Sequence, residues 1–194
     1  MSHKRTMNRA TQLFTILALV TQPLLVAASP VHSSGTWTDQ SASPSARYFH
    51  AMASLGGDQV LLFGGFDGAY NDETWVYDLS DNTWTNQAPA AGPSARSGHA
   101  MAHLAGDQVL LFGGYDGIDP NGESWVYDLS DNTWTNKTPA AGPSAWFGHA
   151  LAALGADRVL LFGGYEGIDY SNETWLATGF FTDWHRTYLP LVAR

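Results

Sequence analysis

Three histidines recur along the chain at nearly equal spacing. His50, His99 and His149 lie 49 and 50 residues apart. Imidazole nitrogen is a common metal ligand, but one ion needs its ligands at about 2 Å. Equivalent atoms of neighbouring repeats usually lie further apart than that, and recurrence in every copy favours a structural hydrogen bond within each unit. We therefore expect structural histidines and no metal site.

Aromatic and acidic residues gather in three segments, each placed between the second and third predicted strands of a repeated unit. These segments differ most between the copies, and such loops on a regular scaffold commonly carry function. Aromatic rings stack on the apolar faces of sugars, and carboxylates accept hydrogen bonds from hydroxyl groups. We therefore expect a protein or glycan ligand, with ordinary polar loops as the alternative. The candidate ligand-binding residues here are Phe66, Asp67, Tyr70, Tyr115, Asp116, Asp119, Tyr165, Glu166, Asp169 and Tyr170.

Four oxygen-bearing residues of the second copy offer a different chemistry. Asp116, Asp119, Asn121 and Glu123 would suit Ca²⁺, because hard cations prefer clustered oxygen ligands. Their spacing departs from that of the EF-hand loop, and its distal bidentate glutamate is missing. We expect no cofactor.

The sequence lacks the motifs of common catalytic sites. It has no Ser/His/Asp signature, phosphate-binding loop or zinc-protease motif. Catalysis needs unlike groups that converge on one point, whereas near-identical units make similar loops. The absence of Cys excludes disulfides, thiolate metal sites and a Cys nucleophile. A net charge of −9 disfavours nucleic-acid binding. We therefore expect a non-catalytic binding module.

The elements that carry these residues form one unit repeated three times. The predicted units span residues 44–92, 93–142 and 143–187. Each contains a semi-alternating segment, an apolar run that ends in two glycines, an aromatic and β-branched segment, and a short tryptophan-containing segment. These patterns predict four short strands, with hairpin links after the first and third. No 3.6-residue period occurs beyond the first 28 residues, so we predict an all-β fold.

The units resemble kelch repeats over about residues 36–185. The resemblance depends on the glycine pairs that close the second strand, on the Tyr-Asp pairs in the third strand of the first two units, and on the tryptophan that opens the fourth strand. It implies a galactose-oxidase-like β-propeller with four-stranded antiparallel blades. In kelch proteins an arginine near the start of the first strand often contributes to the ligand face, so the resemblance adds Arg47 and Arg96 to the ligand-binding residues. Trp146 takes that position in the third unit and is included with them.

The residues that mark the repeats are expected to be structural. A glycine pair lets the backbone leave the strand through unusual dihedral angles and lets a neighbouring blade approach closely. Aromatic rings fill the wedge between twisted blades. The set is Gly64, Gly65, Trp75, Trp84, Gly113, Gly114, Trp125, Trp134, Gly163, Gly164, Trp175 and Trp184.

The same resemblance supplies an alternative function, because some kelch-type propellers are carbohydrate-active enzymes. Galactose oxidase uses a copper site with a tyrosine cross-linked to cysteine, and a chain without Cys cannot form that cofactor. A fragment similar to a sugar mutarotase, or to an oxidase without that cofactor, remains the alternative. An asymmetric pocket with a perturbed acid or base in one blade only would distinguish it from a binding module.

Three blades are fewer than the four to eight that typically close a propeller. Residues 29–43 are a predicted linker in which residues 35–39 resemble a fourth strand, so we expect an N-terminal extra strand around Trp37. The propeller is then incomplete, either as a shortened relative or as an open set of three blades, or a homodimer completes it with about six blades.

Both ends of the chain differ from the repeats. Residues 1–28 combine three basic residues, an apolar stretch of sixteen residues and small residues up to Ala28. This pattern predicts a secretory signal peptide, and the stretch is shorter than the about 20 residues of a membrane-spanning helix. An uncleaved anchor is the alternative. We expect a secreted or cell-surface-associated protein with no membrane span after cleavage. Residues 188–194 form either an edge strand or a sorting tag.

Overall fold

The computed structural model describes residues 35–40, 43–155 and 157–180 of the chain. The chain divides into two units, residues 1–38 and 39–194. In the first unit, the described residues 35–38 are exposed and have no regular secondary structure. The extra strand expected around Trp37 is therefore not observed, since residues 35–40 form no strand pairing. All elements below belong to the second unit.

The described residues form eleven strands and no helix, arranged as three antiparallel sheets that we call blades 1, 2 and 3. Within each blade the strands lie in chain order, which confirms the prediction of an all-β fold with blades of an incomplete propeller. The predicted fourth strand of blade 3, with Trp184, lies outside the described residues. The strands are β1 (Ala51–Gly56), β2 (Gln59–Phe63), β3 (Thr74–Asp78) and β4 (Thr83–Asn86) in blade 1, β5 (Ala100–His103), β6 (Gln108–Phe112), β7 (Ser124–Asp128) and β8 (Thr133–Asn136) in blade 2, and β9 (Ala150–Ala153), β10 (Val159–Phe162) and β11 (Thr174–Ala177) in blade 3.

The second strand of blade 1 is apolar from Val60 to Phe63 because its centre is covered on both faces. Leu61 pairs with Ala53 of β1 and Val76 of β3 in the sheet. Leu61 and its neighbour Leu62 point to opposite faces, since side chains alternate along a strand. Both are buried. A continuous apolar run is therefore what this position requires.

The third and fourth strands are joined by a short turn that the side chains hold closed. Asp78 accepts hydrogen bonds from the backbone N–H and the hydroxyl group of Ser80. Asn82 adopts a left-handed φ of 55° and accepts a hydrogen bond from the Tyr77 hydroxyl group at 2.8 Å. Asparagine tolerates this conformation better than most residues. Blade 2 repeats the turn with Asn132, also at φ 55°.

Blades 1 and 2 pack through one apolar core, in which Trp134 of β8 is the largest buried side chain. Its ring lies 5.2 Å from the ring of Phe63, centroid to centroid, and its Nε1–H donates to Thr74 Oγ1 at 3.0 Å. Trp134 is buried, so it occupies the wedge between the two blades. The core is made by Ala53, Leu55, Leu61, Phe63 and Val76 of blade 1 with Met101, Val109, Leu111, Tyr127 and Trp134 of blade 2.

Blades 2 and 3 pack through the equivalent surfaces. Phe112 of blade 2 forms a buried cluster with Trp146 and Leu161 of blade 3. Phe112 and Ser124, the counterparts of Phe63 and Thr74, line an apolar cavity of about 260 Å³. The two junctions therefore follow one plan.

The tryptophans of the third strands do not fill the wedge between blades, as had been expected of them. Trp75 and Trp125 are half-buried, and Trp175 is exposed. Each donates its Nε1–H to the carboxylate of the glutamate two residues earlier, at 2.8–3.2 Å. This hydrogen bond holds the indole beside its own strand. Trp84 of β4 is half-buried and packs on Tyr77 of the same blade.

The closest approach between blades occurs at the glycine pair that ends the second strand. Gly64 has a φ of 64°, and a Cβ atom there would lie 2.6 Å from the Arg96 carbonyl oxygen and 2.9 Å from His99 Cε1. The next residue, Gly65, donates its N–H to the same Arg96 oxygen at 2.9 Å. No residue other than glycine fits this position without displacing blade 2.

The recurring histidines belong to these junctions. The His99 ring packs on Phe63 of the preceding blade, and His149 packs on Phe112 in the same way, with centroids 5.5 and 5.2 Å apart. The His149 Nε2–H also donates to the Phe112 carbonyl oxygen at 3.1 Å. His50 of the first blade is exposed. Among the described residues, no cluster of three potential ligands surrounds a metal position.

Acid should weaken the fold through the two buried histidines. Burial lowers the pKa of His99 to about 3 and that of His149 to about 4, from 6.5 in an exposed imidazole. The unfolded chain therefore takes up protons below about pH 6.5 while the folded chain does not. Between about pH 7.5 and about pH 5 we expect a loss of about 2 kcal/mol of unfolding free energy for each histidine.

Urea unfolding between about pH 7.5 and about pH 5 measures this loss of unfolding free energy. The interval lies above the pH at which ordinary carboxylates titrate. The variant carrying both His99→Gln and His149→Gln should be less stable at every pH but show a much flatter dependence. An unchanged slope in that variant would show that these histidines are not the groups responsible.

Candidate functional site

The loops that precede the first strand and follow the second strand meet at one end of every blade. In blade 1, isolated bridges pair Tyr48 with Phe66 and Phe66 with Tyr70. In blade 3, Phe147 pairs with Tyr165, which pairs with Tyr170. The strand order predicts this meeting, because the entry to the first strand and the exit from the second lie at the same end of a hairpin.

Aromatic rings from all three blades form one continuous row at this end, which we call the aromatic strip. Tyr70 of blade 1 packs on Tyr115 of blade 2 with centroids 5.9 Å apart, and Tyr115 packs on Phe147 of blade 3 at 5.4 Å. The other neighbours lie 4.9–5.5 Å apart, mostly edge to face or tilted, as aromatic pairs prefer. The strip contains Tyr48, Phe49, Phe66, Tyr70, Tyr115, Phe147, Tyr165 and Tyr170.

Parts of the strip are open to solvent. Tyr48, Phe49 and Tyr170 are 56%, 66% and 88% exposed. One depression of about 360 Å³ lies among rings of all three blades, with the backbone of Gly98 and Gly148 in its lining. A second, of about 460 Å³, lies between Tyr115 and Tyr165 and carries the acidic residues Asp119 and Glu166.

Carboxylates border the strip, and two of them have lowered pKa values. A hydrogen bond from the Ser45 hydroxyl group lowers the pKa of Asp67, and the backbone N–H groups of Asp119 and Ile118 lower that of Asp116. Asp67 and Asp116 each close a local turn in this way. The exposed Asp119, Glu166 and Asp169 add to the acidic character of the border.

The two arginines expected at the ligand face point inward instead. Arg96 is completely buried and donates to the Ser94 and Gly113 carbonyl oxygens at 3.0 Å and to the Glu123 carboxylate at 2.7 Å. The Arg47 side chain is 2% exposed and makes the equivalent bonds to Ser45, Gly64 and Glu73. Their donors are engaged within the blade, so this geometry does not offer them to a ligand.

Trp146 replaces this arginine in blade 3 and is also completely buried. Its Nε1–H donates to the Glu166 carboxylate at 2.7 Å. Trp146 therefore differs from the ligand contact expected of it, because its ring belongs to the core between blades 2 and 3. Glu166 keeps its place at the border of the strip, with one of its oxygens engaged.

Sequence reasoning missed two kinds of residue at this end of the blades. Glu73 and Glu123, which receive the buried arginines, follow them by 26 and 27 residues, and this repeated spacing was the available signal. Tyr48, Phe49 and Phe147 of the strip lie shortly before the first strands, beside Arg47 and Trp146, which were the residues predicted to bind the ligand.

Three of the four residues proposed as Ca²⁺ ligands, Asp116, Asn121 and Glu123, are engaged separately. Asp116 and Asn121 accept backbone N–H groups of their own loop. Burial raises the pKa of Glu123, but the hydrogen bonds from Arg96 and Trp125 outweigh it and leave that pKa low. The structure therefore does not bring the four residues together around one position.

The comparisons with known proteins come to one family. The family model described as the KLHDC2/KLHL20/DRC7 Kelch-repeats domain matches residues 29–187, most of the chain. No curated protein matches it. In the part of the chain that the structure describes, no helix is long and apolar enough to cross a membrane.

Removal of a buried arginine should destabilise the fold. Arg96→Ala would leave the Gly113 carbonyl oxygen and the Glu123 carboxylate without their partner, and we expect a loss of about 2–4 kcal/mol in unfolding free energy. Arg96→Lys should recover little of it, because one ammonium group cannot replace a planar guanidinium group. Urea unfolding measures both. Arg158→Ala is the control, since Arg158 is exposed and should cost under about 0.5 kcal/mol. Equal losses in Arg96→Ala and Arg158→Ala would contradict the role of the buried arginine.

Proposed function

Because the chain belongs to the kelch-repeat domain family, we propose that it is a protein-binding module whose ligand contacts the aromatic strip. The observation that carries the proposal is the continuity of the strip across all three blades. The blades hold the rings in fixed positions, so a ligand meets a preformed surface.

The composition of the strip suits protein recognition. Tyrosine combines a large apolar area with a polar hydroxyl group, and it is enriched among the residues that dominate binding energy at protein interfaces. Exposed apolar surface bordered by polar groups is typical of an interaction site. The depressions of about 360 and 460 Å³ are large enough to receive side chains of a partner.

The charge around the strip favours a partner with basic residues. The carboxylates of Asp67, Asp116 and Asp119 lie beside the rings, while Arg47 and Arg96 are paired within their blades. We infer that the preferred ligand is a peptide segment or loop with apolar side chains for the depressions and Lys or Arg for the border. Such complementarity mainly sets specificity and association rate.

A glycan is the second candidate, supported by the exposed Tyr170 ring next to Asp169. A carbohydrate-active enzyme has less support from the structure. The two groups with strongly lowered pKa values, His99 and His149, are buried at the blade junctions and not in the depressions of the strip. They occur in two blades as structural contacts, whereas a catalytic acid or base is expected in one.

We also propose that the module is exported. The support is the basic and apolar pattern of residues 1–28, which precede the matched domain. Expression in a bacterium with intact secretion should yield a periplasmic or extracellular chain that begins at Ser29, and N-terminal sequencing of that fraction measures it. Retention of residues 1–28 on the exported chain would favour the anchor.

Substitutions in the strip should weaken ligand binding without unfolding the protein. Panning of the purified chain against a displayed random peptide library should enrich peptides with aromatic or aliphatic residues and Lys or Arg. Binding of an enriched synthetic peptide, measured by calorimetry, should weaken about 30-fold or more in Tyr70→Ala or Tyr165→Ala, the usual loss for a dominant contact residue.

Leu79→Ala provides the matched control, because Leu79 is 54% exposed and lies in the turn between β3 and β4. That variant should bind as the unchanged chain does. A glycan array in parallel separates the two candidate ligand classes. Peptides that bind Tyr70→Ala and Tyr165→Ala with unchanged affinity would remove the strip as the site.

A further inference from the structure

The chain forms the same blade junction twice, and among the described residues no blade covers either half of a third junction. At each junction one blade contributes the end of its second strand, and the next blade contributes the segment before its first strand. Blade 2 meets blade 1 in this way, and blade 3 meets blade 2. In blade 3, the end of the second strand has no described blade packed on it, and we call it the first half of the open junction. In blade 1, the same holds for the segment before the first strand, which we call the second half.

The first half is open at the end of β10 in blade 3. Phe162 is 56% exposed, whereas its counterparts Phe63 and Phe112 are 1% and 4% exposed. Gly163 has a φ of 68°, close to the 64° of Gly64. A Cβ atom at Gly163 would meet only an oxygen of its own blade at 3.5 Å. The receiving position is therefore built as in the other blades, and no described residue of a following blade lies against it.

The backbone hydrogen bonds across the junctions also occur at two of the three equivalent positions. Gly65 donates to the Arg96 carbonyl oxygen and Gly114 to that of Trp146, each in the following blade. Among the described residues, Gly164 makes no such bond. The N–H group of Gly164 is the counterpart, in blade 3, of the Gly65 and Gly114 N–H groups that donate across a junction.

The second half is open at the start of blade 1. His50 is exposed, whereas His99 and His149 are buried against the preceding blade. Met52 of β1 is 47% exposed, and its counterpart Met101 is 7% exposed. Phe49 keeps a φ of 55°, close to the 65° of Gly98, so the backbone has the conformation used at the other junctions.

We propose that a second copy of the chain completes the junction head to tail. Blade 1 of one copy packs on blade 3 of the other, with His50 on Phe162 and Gly163, and with Gly164 N–H donating to the Arg47 carbonyl oxygen. A second copy is the occupant because each open half matches the surface that the chain itself places against the other half.

The contact is heterologous, so one copy leaves both ends free and two copies close a ring. Two chains joined at both ends contain six blades, within the range of four to eight found in closed propellers. The inference does not depend on the proposed ligand, because it rests on His50, Met52, Phe162, Gly163 and Gly164, which lie outside the strip.

Two charge variants test the assembly. His50→Lys alters only the blade 1 half, and Phe162→Glu alters only the blade 3 half. Light scattering of the purified full chain should give twice the chain mass, and each variant alone should give one chain mass, because both of its junctions are impaired. Both residues are exposed in the single chain, so the monomers should melt as cooperatively as the unchanged protein. His50→Ala and Phe162→Ser serve if either charge variant is unfolded.

Mixing of the two variants identifies a head-to-tail contact. A mixed pair has one unaltered junction and one junction in which Lys faces Glu, so the dimer mass should return. In a symmetric dimer, the same half would contact the same half of the other copy. Only one of the two variants would then fall to one chain mass, and mixing would not return that variant to the dimer.

Thr85→Lys and Thr85→Glu are the matched controls, since Thr85 of β4 is exposed although blade 2 is in place, and its counterpart Thr135 is exposed as well. Both control variants should remain dimeric. The proposal is overturned by an unchanged chain that stays monomeric up to high concentration. It is equally overturned by a dimer that survives both charge variants, or by a mixture that remains monomeric.

Discussion

The structure depends on one close contact, at the glycine that ends the second strand of a blade. There the backbone turns at a φ of 64–72°, and the carbonyl oxygen and histidine of the next blade lie where a side chain would otherwise be. The following glycine donates a hydrogen bond to the same carbonyl oxygen. The contact sets how closely two blades approach, and the apolar core between them packs to that distance. The neutral imidazole is part of it, since burial disfavours the charged form.

The same turn places the candidate binding surface. After the glycine pair the chain enters the loop with Phe66, Tyr115 or Tyr165, and rings of neighbouring blades come within 6 Å of one another because the blades are held close. The buried Arg47 and Arg96 bind the carbonyl oxygen of that first glycine and the glutamate that precedes the third strand. They hold both ends of the loop, so the blade junction and the loop surface share one support.

Much of this architecture could be predicted from the sequence because the repeat gives three aligned observations of each position. The apolar run before Gly64 indicates a strand covered on both faces. The hydrogen bond expected within each unit from the recurring histidines was wrong in its partner, because His99 and His149 pack on the preceding blade. The orientation of Arg96 could not be predicted in this way. An arginine in a loop suits solvent as well as an internal carbonyl group, and its carboxylate partner lies 27 residues away in sequence. The continuity of the strip could not be predicted either. It depends on how far apart neighbouring blades lie, and the sequence of one repeat does not specify that distance.

Glycine is required at positions 64 and 113 because the following blade packs against them, and not only because of their backbone conformation. Gly64, Gly113 and Gly163 have nearly the same φ, at 64°, 72° and 68°, but only the first two are covered by a following blade. The direct test is the unfolding free energy of Gly64→Ala, Gly113→Ala and Gly163→Ala, measured at a concentration where the chain is monomeric. The strain of a left-handed alanine is common to all three. We expect Gly64→Ala and Gly113→Ala to lose about 1–3 kcal/mol more unfolding free energy than Gly163→Ala, because their methyl groups displace the next blade. Equal losses at the three positions would contradict it.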